Sequence, residues 1–414
     1  MPGTLSRESA RWFIESNLKP LGKPPESQEF GRLVSHGQER FVVLQVLPAL
    51  VTGGVERGTV EVAQAVAAAG GTALVASAGG PMVAEVEAAG GRHLTLPLDT
   101  KDPRAIWRNA ARLAELIRNE RVDIVHARSR APAWSAWLAC RRTGAHFVTT
   151  YHGTYGEALP LKRHYNAVMA RGEIVIAASP FIASLVMARH RVEAARLRII
   201  PRGVDPAAFD PAAVAPDRVA RLAAAWRLPA GVPVVMLPGR LTAWKGQGVL
   251  IEAMALLSRR DAVCVLVGAD QGRHRYIGQL LRRAERLGLG DRLRLAGHAE
   301  DMPAALALAD VVVHASTKPE AFGRVVIEAQ AMARPVIAAD LGGPVDTVAH
   351  GLTGWRVTPG NPVALAAAID EVLALPPDRL ATVGARAREA VPTVRGMQQA
   401  TLQVYADVRG RPAG

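Results

Sequence analysis

Four short stretches carry side chains suited to work on a phosphorylated ligand. Gly53 and Gly54, ahead of Val55 and Glu56, open a helical run directly after an apolar segment. Paired glycines let backbone amides approach an anion, and a helix N-terminus adds a favourable field. Taken alone, the pair reads as a plain turn just as well. His152 stands in Tyr-His-Gly-Thr-Tyr at the end of another apolar run. An imidazole there can donate a hydrogen bond to a ligand, although many such histidines are structural. Arg240 and Lys245 flank a turn in the run PGRLTAWKG over 238–246. A guanidinium supplies two aligned donors and an ammonium a point charge, a pair suited to a diphosphate. Two exposed surface cations would have the same spacing. In EAFGRVVIE, Glu320 precedes a helical run and Glu328 lies on it, among Val325, Val326, Ile327 and Ala329. A carboxylate on so apolar a face needs a partner once folded. Carboxylates accept from sugar and ribose hydroxyls, and Phe322 and Gly323 put backbone amides at the helix start. Gly342 and Gly343 offer a further close-approach loop.

These stretches need a scaffold, and the pattern supplies one. From residue 41, short β-branched or apolar runs (41–47, 73–77, 93–96, 123–126, 147–151 and 174–177) alternate with Ala-rich helical segments. A Pro-rich stretch over 201–229 interrupts the rhythm and is the expected linker. Strand-like runs over 234–237, 263–267, 293–295, 311–314 and 335–338 then alternate with helical segments again. Strands separated by helices of this length indicate α/β architecture with parallel sheets covered on both faces. Ligands of such sheets bind beyond the carboxyl ends of the strands, which is where all four stretches fall. The expected organisation is a polar extension over 1–40, an N-terminal Rossmann-like domain over 41–215, a C-terminal one over 216–390, and a C-terminal helix within 391–414 able to pack back on the first domain. The two sheets would face each other across a cleft.

Composition narrows the functional classes. A chain of 414 residues with 49% hydrophobic and 21% charged residues is globular and too long for one core. Two cysteines exclude a disulfide scaffold and a four-cysteine zinc site. No apolar run reaches the roughly 20 residues of a membrane span. Arg7, Glu8, Arg11 and Glu15 interrupt any signal-peptide core, so the expected location is cytoplasmic. The GxGxxG fingerprint is absent, against an NAD-dependent dehydrogenase, and the Lys245 turn lacks Walker spacing. The formal net charge of +13 favours anionic partners, but with 5% aromatic residues and no recognisable module it does not make a nucleic-acid binder.

Together and in this order, the four stretches resemble the retaining family 4 glycosyltransferases of the GT-B fold. The resemblance runs from about residue 41 to at least 373. It is most specific over 320–355, EAFGRVVIEAQAMARPVIAADLGGPVDTVAHGLTGW. The run IIPRGVDPAAFDP over 199–211 is similar to the family's interdomain segment, with Arg202 where Asn is usual. The resemblance implies that Arg240 and Lys245 bind the donor diphosphate and stabilise the leaving group. It further implies that Glu328 holds the ribose, that Glu320 with the Phe322 and Gly323 amides holds the donor sugar, that His152 lies near the sugar's primary hydroxyl, and that Gly53 and Gly54 approach the phosphates. No acidic pair stands at a strand end, so neither a metal ion nor another cofactor is expected beyond a UDP- or GDP-linked sugar donor.

The acceptor is read from charge and from the stretch HARSRAPAWSAW over 126–137, which looks like that of bacterial lipopolysaccharide-core transferases. Arg128, Arg130, Lys162 and Arg163 are the acceptor-binding candidates, and Arg141 and Arg142 add to the charge. They suit an acidic glycan or lipid-linked oligosaccharide, reached by peripheral contact with the anionic inner face of the cytoplasmic membrane. The rival readings are a nucleotide-sugar epimerase and a non-catalytic nucleotide-sugar-binding protein on the same fold.

Overall fold

A computed structural model describes residues 41–156 and 160–411. The expected extension over 1–40 lies outside them. The chain forms two compact units: one runs to Arg202 and resumes at Val394, the other is Gly203–Thr393.

The first unit is a seven-stranded sheet, β1 (Val42–Val46), β2 (Thr72–Ser77), β3 (Arg92–Thr95), β4 (Ile124–Ala127), β5 (His146–Tyr151), β6 (Ile174–Ala177) and β7 (Leu197–Ile199), in the order β3-β2-β1-β4-β5-β6-β7. Every pairing is parallel. The strand order reverses between β1 and β4, so the loops after these two strands diverge and leave a crevice. Helices Gly54–Ala68, Pro103–Asn119 and Arg130–Thr143 are among those that cross between the strands. The final helix, Val394–Arg409, belongs to this unit, where Met397, Leu402, Val404, Tyr405 and Val408 join the core with Phe41, Val43 and Val66.

The second unit is a six-stranded parallel sheet, β8 (Val234–Pro238), β9 (Val263–Val267), β10 (Leu293–Gly297), β11 (Val311–His314), β12 (Val336–Ala339) and β13 (Trp355–Val357), in the order β10-β9-β8-β11-β12-β13. Side chains alternate between its two faces. Val235, Leu237, Cys264, Leu266, Val311, Val313 and Ile337 join one core, and Val234, Met236, Val263, Val265, Val312, Val336 and Ala338 the other. Both faces are covered, which is why the strands read as continuous apolar runs. The order reverses between β8 and β11.

The expected linker over 201–229 is more structured than its prolines suggest. Pro211–Ala213 makes a 3-10 turn and Pro216–Ala225 a helix. Proline at the first helical position is preset in φ and lacks only an amide that would have been unpaired. Arg218 clamps the helix down by donating to both Asp301 oxygens at 2.8 and 2.7 Å. The units themselves divide at Arg202, ahead of residue 215. No described helix is long and apolar enough to cross a membrane.

The terminal helix is tied to the strand ends by one buried chain. His126, at the end of β4, shares hydrogen bonds with the Tyr405 hydroxyl through Nδ1 and the Thr150 hydroxyl through Nε2, both at 2.7 Å. Tyr405→Phe strands the His126 nitrogen, and chemical denaturation should show a loss of about 1–3 kcal/mol; an unchanged midpoint would mean the bond contributes nothing.

Candidate functional site

At the β8/β11 reversal, two loops are locked edge to edge. Gly246, at φ +81°, ends the loop after β8, and a Cβ on it would sit 1.9 Å from the Ala315 carbonyl. The Thr317 amide donates to the Trp244 carbonyl at 2.7 Å, which ties the loop after β11 to the same turn. This brings Glu320 to Lys245 across 75 residues of sequence, with Lys245 Nζ donating to Glu320 Oε1 at 2.6 Å. His314 Nε2 meets the same oxygen at 2.7 Å, and the Ser316 hydroxyl donates to it as well. Burial alone would push the Glu320 carboxyl up. The His314 hydrogen bond and charge, with Lys245, outweigh burial and hold it well below the usual carboxylate range. Glu320 is therefore ionised, and its presence holds an ammonium at the sheet's switch point. Arg240 is exposed in the same loop, its carbonyl accepting from Gln247 Nε2 at 2.9 Å.

Residues 320–328 continue the site. Gly323, at φ +83°, precedes the helix Arg324–Ala331. Phe322 is buried, and Glu328 is mostly buried, with Arg324 Nε donating to its Oε1 at 3.1 Å. Gly342 and Gly343 were expected to make room for a ligand, but what approaches them is backbone. A Cβ on Gly342 would meet the Glu320 carbonyl at 2.6 Å, and one on Gly343 the Ala321 carbonyl at 2.3 Å. The Gly343 amide donates to the Glu320 carbonyl at 2.8 Å, so this loop sets the position of Glu320 from behind.

In the first unit, Gly53 and Gly54 are exposed at the start of the helix Gly54–Ala68, which has no side-chain cap. Beyond β4, β5 and β7 lies a group of buried cations. Arg128 is 2% exposed and donates to Gln45 Oε1 at 3.1 Å, while Gln45 Nε2 donates to the Thr59 carbonyl at 2.9 Å. Burial lowers the Arg128 guanidinium to about 10, with Tyr405, Glu61 and Glu56 opposing the shift. Arg202 is also buried, and its Nη2 donates to His152 Nδ1 at 3.0 Å. Burial, then the charges of Arg202 and Arg128, hold the His152 imidazole far below its ordinary value, so it is neutral.

Of the basic acceptor candidates, Arg128 is thus enclosed and does not form part of the surface. Arg130 lies 4.1 Å above the Tyr155 ring and donates to Asn166 at 2.9 Å. Lys162 and Arg163 are exposed on the helix Pro160–Asn166, with Arg163 also donating to the Arg189 carbonyl at 2.8 Å. The same unit carries several arginine–tryptophan contacts. Arg142 sits 5.6 Å over Trp107, itself 61% exposed, and Trp137 lies between Arg171 at 4.1 Å and Arg141 at 5.3 Å. Three site residues escaped the sequence reading: His314, Ser316 and Arg202 as the partner of His152. A histidine closing the run Val311–His314 was a visible signal; the other two become meaningful only through their neighbours.

Comparisons with known proteins bear on this arrangement. The sequence model described as "Glycosyl transferases group 1" matches residues 220–390, and "Glycosyltransferase Family 4" matches 52–208. A D-inositol 3-phosphate glycosyltransferase of Jonesia denitrificans is 30% identical over 61% of this chain and 63% of its own length, so the chain spans under two thirds of that relative. A GDP-mannose-dependent alpha-(1-6)-phosphatidylinositol monomannoside mannosyltransferase of Mycobacterium tuberculosis is 31% identical over 68% of this chain and 74% of its own. Among solved structures, a glycosyltransferase from Rickettsia africae superposes with a TM-score of 0.83 at 36% identity, covering 89% of this chain and 98% of the other. WaaG, a glycosyltransferase involved in lipopolysaccharide biosynthesis, shares the fold at a TM-score of 0.67 and 19% identity, covering 88% and 99%. The two Rossmann-like units are those of the GT-B fold.

The site predicts a specific acid response. A carboxyl depressed on folding contributes stability above its unfolded value of about 4.3, and this is lost as pH falls through the folded value. Lys245→Met raises the folded value, so Glu320 protonates earlier in the variant. The stability gap between wild type and Lys245→Met should be full at neutral pH and narrow as acid titrates the variant. A gap constant down to acid unfolding would show that the two groups are not coupled.

Proposed function

The chain belongs to the group 1 and family 4 glycosyltransferases, and on that basis we propose that it moves a hexose from a nucleotide-diphosphate sugar to a phosphorylated or lipid-linked acceptor, with retention of configuration and without a divalent ion. The observation that carries the reading is the convergence of Lys245, His314 and Ser316 on Glu320 at the β8/β11 reversal. Breaking the bond between the anomeric carbon and the donor phosphate leaves negative charge on the diphosphate, and stabilising that charge is the main catalytic demand. Arg240 and Lys245 supply it. The acceptor hydroxyl attacks from the face the phosphate is leaving, and its proton passes to the departing phosphate oxygen.

Glu320, with the backbone amides of Phe322 and Gly323, holds the donor sugar, and Glu328 the ribose hydroxyls. In the first unit, His152 donates to a sugar hydroxyl and the Gly53–Gly54 amides meet phosphate oxygens. The mannosyltransferase's name supports a GDP-linked donor, and both relatives' names an inositol-bearing acceptor ahead of the lipopolysaccharide core, although acceptors of both kinds are anionic. Arg130, Lys162 and Arg163 meet the acceptor, whereas the enclosed Arg128 does not reach it. The face bearing Trp107, Arg142, Trp137 and Arg171 suits an anionic lipid surface, because tryptophan favours the headgroup boundary and arginine the phosphates. An epimerase or a silent binder is disfavoured, because the relatives are transferases and all four of Arg240, Lys245, Glu320 and Glu328 are present.

The test is transfer from UDP-, GDP- and ADP-sugars to phosphoinositol and lipid-linked acceptors in EDTA, with the product anomer read by NMR. One donor class should be consumed with its configuration kept, and Arg240→Ala should slow transfer by about 10²–10³-fold. Loss of all activity in EDTA, or an inverted product, would overturn the metal-free or the retaining part respectively.

A further inference from the structure

We infer that Arg202 is a positioning residue: it fixes His152 in the tautomer that carries its proton on Nε2, so that an N–H donor and never a lone pair meets the bound ligand. The inference rests on the reading of His152 as a ligand contact and adds what its ring must present.

A guanidinium has five N–H groups and no acceptor. Arg202 Nη2 lies 3.0 Å from His152 Nδ1, so Nδ1 must be the accepting nitrogen and its lone pair is committed. The ring proton is left on Nε2. That atom is buried and has no hydrogen-bond partner among the described residues. A buried N–H without a partner is costly, and a ligand oxygen arriving there removes the cost. The contact is strongest where such an oxygen sits, which gives the protein a reason to keep the group unpaired. In this arrangement His152 cannot serve as a general base through Nε2, since that nitrogen has no free lone pair.

The surroundings hold Arg202 in place. It is 8% exposed, with Nη1 against Met397 Sδ at 3.9 Å. Its guanidinium and that of Arg128 both press on Gly58, where a Cβ would lie 1.9 Å from Arg202 Nη1 and 2.9 Å from Arg128 Nη2. Only glycine leaves that space on the helix Gly54–Ala68. The groups facing His152 are Arg202, Arg128 and His126, while the carboxylates Glu56 and Glu61 act on Arg128. Protonating Nδ1 would set two donors against each other among these cations, so both charge and geometry keep the ring neutral. Asparagine at 202 could offer either a donor or an acceptor and would impose no tautomer.

The test is side-chain 15N-histidine NMR on the full chain, with the His152 signal assigned by its loss in His152→Gln. Wild type should show Nε2 protonated and Nδ1 bare, unchanged between about pH 5 and 8. A wild-type signal with the proton on Nδ1 overturns the inference without any Arg202 variant. In Arg202→Met the tautomers should mix, kcat should fall by about tenfold or more, and an acid limb in the kcat profile should move to higher pH. Arg202→Lys, also a pure donor, should restore the tautomer and most of kcat. An Arg202→Met protein that folds and keeps the wild-type tautomer and pH profile also overturns it. If the tautomer is as inferred but His152→Ala transfers at the wild-type rate, the ligand-contact reading fails instead.

Discussion

The second unit is organised around one carboxylate. Glu320 Oε1 accepts from Lys245, His314 and Ser316, which ties the loops after β8 and β11 to one atom. The backbone serves this convergence. Gly246 lets the turn before it close on Ala315, and Gly342 and Gly343 let a neighbouring loop press on residues 320–322. A buried carboxylate that accepts from three donors, one of them an ammonium, stays ionised, and an ionised Glu320 holds Lys245 in the loop after β8. On the role proposed for Lys245, the ammonium is already positioned, and an incoming diphosphate would compete with the carboxylate for it.

The first unit solves the opposite problem. There the guanidinium groups of Arg128 and Arg202 are buried, and burial first, then these charges, keeps the nearby imidazoles of His126 and His152 neutral. Placing guanidinium groups beneath a strand-end histidine turns a residue of ambiguous protonation into a fixed donor. The terminal helix contributes to this group through Tyr405 and Met397, which explains why the chain returns to the first unit after completing the second.

Much of this was legible in the sequence. The alternation of apolar runs and helical segments located both sheets, because strands buried on two faces show as uninterrupted Val, Leu and Ala. Lys245 and Glu320 stood out in the loops after strands, and the structure brings the two together. What the sequence could not show was contact. Lys245 and Glu320 lie 75 residues apart, so their pairing depends on strand order. Strands of three residues, such as Leu197–Ile199 and Trp355–Val357, are too short to carry a period and went unread. The helix Pro216–Ala225 was hidden because prolines that begin helices look the same as prolines that break them. Arg202 was noticed as a departure, but its meaning lay in His152, 50 positions away.

On the role proposed for Lys245, the second unit holds a cation for the donor diphosphate, and binding would draw it away from Glu320. Calorimetric titration of GDP and UDP, without the sugar, against wild type, Lys245→Met and Glu320→Gln tests it directly. The account predicts that Lys245→Met weakens diphosphate binding by about tenfold or more. Glu320→Gln, which frees the ammonium from its competitor, should bind the bare diphosphate at least as tightly as wild type. Equal affinity in wild type and Lys245→Met would contradict the claim.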